Sequence, residues 1–463
     1  MADSRPHRLF LTIQDRFRET RRAFREFLAL PTMIIVLFIA LAIGAYLFER
    51  SAYKFTSPIY SFFQARVFVD AEATSDLLGN IAGSIITVTS ITITLLLLIV
   101  QQSASNLTTQ VFDQFLRRRS NQFFFGFFVG VAVFSLITLA TVDEPFNPVF
   151  SASLVFVFTV IALFLLLVLF YMTIHQMRPP VILGAIHDHT LAAREHQRSL
   201  IARTQRQSQS GAPFSYPVLS NHYGFVTGIN VDELENALKE HPEANEIILF
   251  VSIGSFVAYQ DCIAEIKTSQ EGNFDDEIET IRDAVQLERS RDLASDPSYG
   301  VTQLEQIAWS VLSPSKSNLA PGLQAIYLLR DLLSRWVEEA KQPLEKEKLP
   351  IIYNDDVIRN LLNTFTSLAV IASVSKQHQT MIAILETFLY LYDRLPEKWQ
   401  SDADDAIAGL LPVLDAYIVT APFKQTLLAF ADMQRRNQRY EMAAQITCYL
   451  DAHQKDIGCK DSE

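Results

Sequence analysis

The sequence predicts an α-helical integral membrane protein with four transmembrane helices, joined to a cytoplasmic α+β region in which a small β-rich domain precedes a helical domain. Three observations carry this. Four long apolar runs fall within the first 180 residues, each long enough for a helix to cross a ~30 Å hydrocarbon core. Short strand-like segments separated by Gly and polar turns follow. From about residue 271 the apolar positions recur at helical spacing.

Charge divides at the same boundary. Residues 1–180 carry 14 basic and 11 acidic side chains, net +3, and residues 181–463 carry 25 and 40, net −15. An acidic soluble half argues against a nucleic-acid partner. Cys262, Cys448 and Cys459 form no CxxC pair and are too few for a disulfide scaffold, which suits a reducing cytosol.

Residues 1–30 form a basic cytoplasmic segment, with Arg16, Arg18, Arg21, Arg22 and Arg25 ahead of the first apolar run. Phe17, Phe24 and Leu28 at helical spacing suit a helix on anionic headgroups, although a topogenic flank needs only the charge. No small-x-small cleavage site follows, so the first run is read as a retained helix. The transmembrane domain is residues 31–180, with spans at about 32–48, 77–102, 123–142 and 150–174.

Span two carries a polar seam. At 100° per residue, Gly79, Gly83, Thr87, Ser90, Thr94 and Gln101 share one narrow sector, which is expected either to face another helix or to line water. Asp70, Glu72 and Asp76 precede the span as an outer acidic cluster that either rings a mouth or starts the helix. Arg117, Arg118 and Arg119 form the inner basic cluster and hold that loop inside. Span three contains Gly126-x-x-x-Gly130, a spacing that admits close packing, here expected against Gly79 and Gly83 of span two. The run Phe123 to Phe128 is expected to turn its bulk toward lipid. Span four ends at Arg178-Pro179-Pro180, and four spans place both termini in the cytoplasm.

Residues 181–212 read as a polar helix and linker, 213–270 as the β-rich domain, a barrel or sandwich, and 271–463 as the helical domain. One helix is expected from Glu277 to Arg291, and stacked helix pairs beyond it form a bundle or irregular solenoid.

Five blocks occur in order: IAGSIITVTSITITLLLLIVQQSAS, FLRRRSNQFFFGFFVG, YGFVTGINVDELENAL, GSFVAYQDCIAEI and DPSYGVTQLEQIAWSVLSPSKSN. Together they resemble an uncharacterised bacterial family of membrane proteins, the domain of unknown function 2254, over about Leu77 to Arg335. The resemblance implies a multi-span N-terminal region in a bacterial inner membrane and a cytoplasmic C-terminal region, with no activity or ligand to transfer. The chain departs from the family pattern at Leu107 to Gln110, in place of Ser-Pro-Arg, and at Ser313 to Asn318, where an acidic residue is missing.

No nucleophile elbow, P-loop, zinc-protease helix or dinucleotide fingerprint occurs. Catalytic, cofactor and metal sites are therefore not expected. His187-Asp188-His189 points its two imidazoles about 200° apart on a helix, which does not suit one ion. The leading expectation is a homo-oligomeric, channel-like or transport-related protein in the lipid bilayer, with a cytoplasmic regulatory region. The alternative is a membrane-anchored sensor or scaffold without a pore, whose acidic helical region recruits a cytoplasmic protein partner.

Overall fold

A computed structural model describes residues 28–51, 58–106, 118–144, 146–208, 211–240, 244–312, 319–341 and 348–458. The basic segment through residue 27, Leu107 to Gln110, Arg117, the Ser313 to Asn318 loop and Cys459 lie outside the described residues. The chain divides into two compact units, Met1–Arg178 and Pro179–Glu463.

The first unit contains α1 (Ala29–Arg50), α2 (Pro58–Arg66), α3 (Ala71–Asn106), α4 (Arg119–Ala140) and α5 (Val149–Gln176). The third of the long apolar helices, α4, is the packing centre and touches α1, α3 and α5. Small residues explain the closest approach. A Cβ at Gly126 would lie 2.9 Å from Pro31 Cα, and one at Gly130 would lie 2.9 Å from Phe38 Cγ. The GxxxG face therefore receives span one, not span two, and Gly79 and Gly83 meet nothing within 4 Å. Phe38 fills the notch and makes edge contacts with Phe127, Phe134 and Phe158.

The phenylalanine run is also shared out differently from expectation. Phe124 and Phe128 are buried with Leu96, Val100, Ala162 and Leu169, while Phe123 is exposed. Ser135 and Thr138, buried in α4, donate to the carbonyls of Val131 and Phe134, so their hydroxyls need no other partner.

The second unit opens with α6 (Pro179–Arg203). A four-stranded sheet and a three-stranded sheet follow. The first has β1 (Phe214–Leu219), β5 (Cys262–Thr268), β3 (Ala244–Leu249) and β7 (Ile351–Ile352) in that order; the second has β4 (Phe256–Val257), β2 (Gly224–Ile229) and β6 (Val285–Glu288). Both sheets and helices α7 (Val231–Glu240) and α8 (Asp275–Ala284) share one core around Val218, Val226, Leu234, Ile247, Ile266 and Ile281.

The helix expected from Glu277 to Arg291 stops at Ala284. Val285 and Leu287 alternate with polar neighbours and pair antiparallel with Ile229 and Val226, so sheet pairing wins over the helical pattern there. Ile351–Ile352 likewise enters the first sheet, parallel to β3.

The remaining helices are α9 (Pro297–Leu312), α10 (Ala320–Glu339), α11 (Val357–Val374), α12 (His378–Leu391), α13 (Glu397–Leu410), α14 (Ala421–Arg436) and α15 (Tyr440–Gly458). Each of α9 to α12 packs on the helix two places further along, which is solenoid-like stacking. Helix α6 packs on α9 and α10, where Thr190 fits against Gly300.

Five described helices are long and apolar enough to cross a membrane: α1, α3, α4, α5 and α11. Helix α11 is the least apolar of the five and the most buried, with Leu361, Leu362, Phe365 and Leu368 inside the second unit.

Candidate functional site

Helix α3 is 36 residues long, roughly 54 Å at 1.5 Å per residue, and thus exceeds a ~30 Å hydrocarbon core. One side packs on the unit's own helices: Thr74, Leu78, Ala82, Ile85, Thr92, Leu96 and Val100 are buried. The polar seam lies about 140° around the helix from the centre of that side. Gly83, Thr87, Ser90, Thr94 and Gln101 are exposed and Gly79 is half-buried. Exposed Val88, Ile91, Leu95 and Leu98 share the rest of the open surface, so the polar stripe is bordered by apolar residues.

Two of its hydroxyls bond within the helix. Thr87 Oγ1 donates to the Gly83 carbonyl at 2.8 Å and Thr94 Oγ1 to the Ser90 carbonyl at 2.9 Å. Each keeps acceptor capacity, and neither is left without a partner.

The acidic cluster divides by role. Asp70 caps α3: its Oδ1 accepts from the Ala73 amide at 2.7 Å, and its carbonyl accepts from Thr74 Oγ1 at 2.7 Å. It also lines a cleft of about 620 Å³ with Gln64, Phe68, Glu144, Phe146 and Asn147. Glu72 and Asp76 are exposed, and at 100° per residue they continue the polar sector beyond Gly79. At the start of α4, Arg118 is half-buried and Arg119 exposed.

Glu49, which no sequence motif marks, joins α1 to α5. Its Oε1 accepts from the Phe150 amide at 2.7 Å, and its Oε2 from the Ser151 amide at 3.2 Å and Ser151 Oγ at 2.9 Å. A carboxylate thus meets the positive end of a helix dipole and satisfies amides that have no intrahelical acceptor. The available signal was an acid one residue from the end of a span, opposite a helix start whose own Pro148 supplies no cap.

The second unit buries a bidentate ion pair. Arg194 Nη1 and Nη2 donate to the two Asp355 carboxylate oxygens at 3.0 and 2.7 Å. The side chains are 7% and 2% exposed, so the pair is desolvated. Burial opposes the ionised Asp355, but Arg194's charge and hydrogen bonds outweigh it and hold the carboxyl below its usual range. Arg194 shifts the other way: burial disfavours its charge, and Asp355 more than restores it. The guanidinium also lies 5.6 Å from the Trp336 ring centroid. Nearby, burial pushes the Tyr353 phenol up.

His187 is buried and His189 exposed on α6. Among the described residues no three His, Cys, Asp or Glu side chains converge to hold a metal ion.

No curated protein and no solved structure matches the chain. A family profile described as a predicted membrane protein matches residues 25–389, well over half of the sequence, and ends within α12. With its several long apolar helices, the chain is a membrane protein and belongs to this family, the domain of unknown function 2254.

Proposed function

We propose that the protein is a homo-oligomeric, channel-like or transport-related component of a bacterial inner membrane. In this reading α1, α3, α4 and α5 are the four spans, both termini are cytoplasmic, and the second unit is a cytoplasmic regulatory region. The observation that supports it is the position of the polar face. Thr87, Ser90, Thr94 and Gln101 stand exposed on the side of α3 turned away from the chain's own helices. Lipid gives a polar stripe no advantage, whereas copies arranged around an axis would give it either water or a polar partner. Glu72 and Asp76 would then stand at the outer end of the path and favour cations.

Flux from liposomes holding the purified protein tests this. Ion movement under voltage or tension, reduced in Thr94→Leu, is expected; sealed liposomes under both stimuli would sink the reading.

One observation favours the alternative, a membrane-anchored sensor or scaffold with no pore. The Thr87 and Thr94 hydroxyls already bond to carbonyls of their own helix, so a dry contact between two copies would leave neither donor unsatisfied. The acidic second unit would then recruit a cytoplasmic partner.

A further inference from the structure

Two helices of the second unit start side by side. Helix α11 is 18 residues long and α13 is 14. Arg359 Nε donates to Asp402 Oδ1 at 2.9 Å, and further along Thr366 Oγ1 donates to the Ala406 carbonyl at 3.1 Å. The residue numbers rise together on both helices, so the two run in the same direction and their positive dipole ends lie together. The N-cap residues, Asp356 and Pro396, give neither start a side-chain cap.

Cations gather at these starts. Lys398 is the second residue of α13 and is exposed. Backbone pairing brings Arg206: the Gln205 amide donates to the Ile351 carbonyl at 2.8 Å and the Tyr353 amide to the Gln205 carbonyl at 2.9 Å, which sets Arg206 beside the residues leading into α11. Lys348 precedes Leu349, whose amide donates to the Arg203 carbonyl at 2.8 Å in the same pairing. Of the acids here, Asp355 is taken by Arg194 and Asp356 by Arg359 at 3.7 Å, while Glu397 is exposed. Among the described residues Arg206, Lys348 and Lys398 pair with no carboxylate, and Lys398 Nζ lies 4.6 Å from the Trp399 ring centroid instead.

These charges act on one another. Burial, and then the fields of Arg206, Arg194 and Lys348, push the Lys398 ammonium below its usual range, with Asp355 opposing them. Donors are also in surplus behind the cations: Arg194 Nε and Gln197 Nε2 are buried and meet no acceptor among the described residues. Residues 181–463 carry a net −15, so a group of unpaired cations stands out against its own unit, and their mutual repulsion is a cost that a bound anion would remove.

We propose that the paired starts of α11 and α13, with Arg206, Lys348 and Lys398, bind a phosphate group, carried by a small soluble anion or by a lipid headgroup. A phosphate monoester carries a charge of about −1.5 to −2, which answers more than one cation. Its oxygens can accept from helix-start amides, lysine ammonium and the arginine fork together. The site lies wholly within the second unit and stands whether or not the α3 seam is wetted.

Calorimetric titration of the full chain in phosphatidylcholine nanodiscs with inorganic pyrophosphate, at an ionic strength fixed by chloride, tests this. Saturable binding is expected, weakened about tenfold by Lys398→Gln and by Arg206→Gln, the scale of one charge-assisted contact. Each substitution removes a repelled charge, so the Tm without pyrophosphate should not fall in either. Nanodiscs containing phosphatidic acid separate the two sources. Loss of pyrophosphate binding there, but not in phosphatidylglycerol nanodiscs of matched charge, identifies the headgroup as occupant, and retained binding identifies a soluble phosphate compound. No saturable binding in the phosphatidylcholine nanodiscs, or binding of wild-type strength in both variants, would overturn the proposal.

Discussion

Glu49 and Ser151 are joined by both a backbone and a side-chain hydrogen bond, the Glu49 carboxylate accepting from the Ser151 amide and hydroxyl across 102 positions of sequence. With the Phe150 amide also bound, the end of α1 caps the start of α5. Removing the carboxylate leaves helix-start donors unsatisfied where little water reaches them. Glu49→Ala is expected to cost about 1–2 kcal/mol, seen as a lower Tm of the detergent-solubilised protein, with Ser151→Ala costing less. An unchanged Tm in Glu49→Ala would show that the contact adds nothing to the fold.

The glycines separate fold from assembly. Gly130→Leu drives a side chain into the Phe38 ring, and overpacking of this kind costs about 1–3 kcal/mol or more. The expected readout is poor yield and a lowered Tm. Gly83→Leu enters space with nothing within 4 Å and should leave the fold of the single chain intact. If α3 meets its counterpart in another copy, native mass spectrometry of Gly83→Leu should show smaller assemblies at an undiminished Tm. Equal loss of Tm in the two variants would contradict the packing described.

The buried Arg194–Asp355 pair predicts an acid limb. The folded-state pKa of Asp355 is depressed, so the pair's contribution is fully present above the ordinary aspartate range near pH 4 and is lost as pH falls through the lower folded value. Stability of the second unit should therefore decline below about pH 4. Asp355→Asn leaves a buried guanidinium without its counter-ion and should cost about 3–5 kcal/mol at neutral pH, flattening the acid limb. Denaturant titrations across pH 3 to 7 check both, and an acid limb unchanged in the variant would assign it to other carboxylates.

The long apolar runs made the long apolar helices legible, because a helix suited to lipid satisfies its backbone internally and is apolar over most of its length. The polar seam of α3 was visible for the same reason: the departure from uniform apolarity is periodic. Partners were not legible. Gly126-x-x-x-Gly130 states that something packs closely, but whether that is span one or span two depends on bulk elsewhere, here Phe38. Val285–Glu288 looked helical because its strand character comes from β2, more than 50 residues away. Glu49 was invisible as a joining group since it acts through Ser151, more than 100 positions distant.

The central claim is that the inner half of the α3 seam is in water inside an assembly. Single cysteines at Thr87, Ser90 and Thr94, placed in a Cys262→Ser, Cys448→Ser and Cys459→Ser background and reconstituted in liposomes, test it with a membrane-impermeant thiol reagent. Labelling of all three, with Leu95 and Leu98 positions protected, is the result the claim predicts. Protection of all three to the same degree as Leu95 and Leu98 would contradict it and leave the seam as a dry contact.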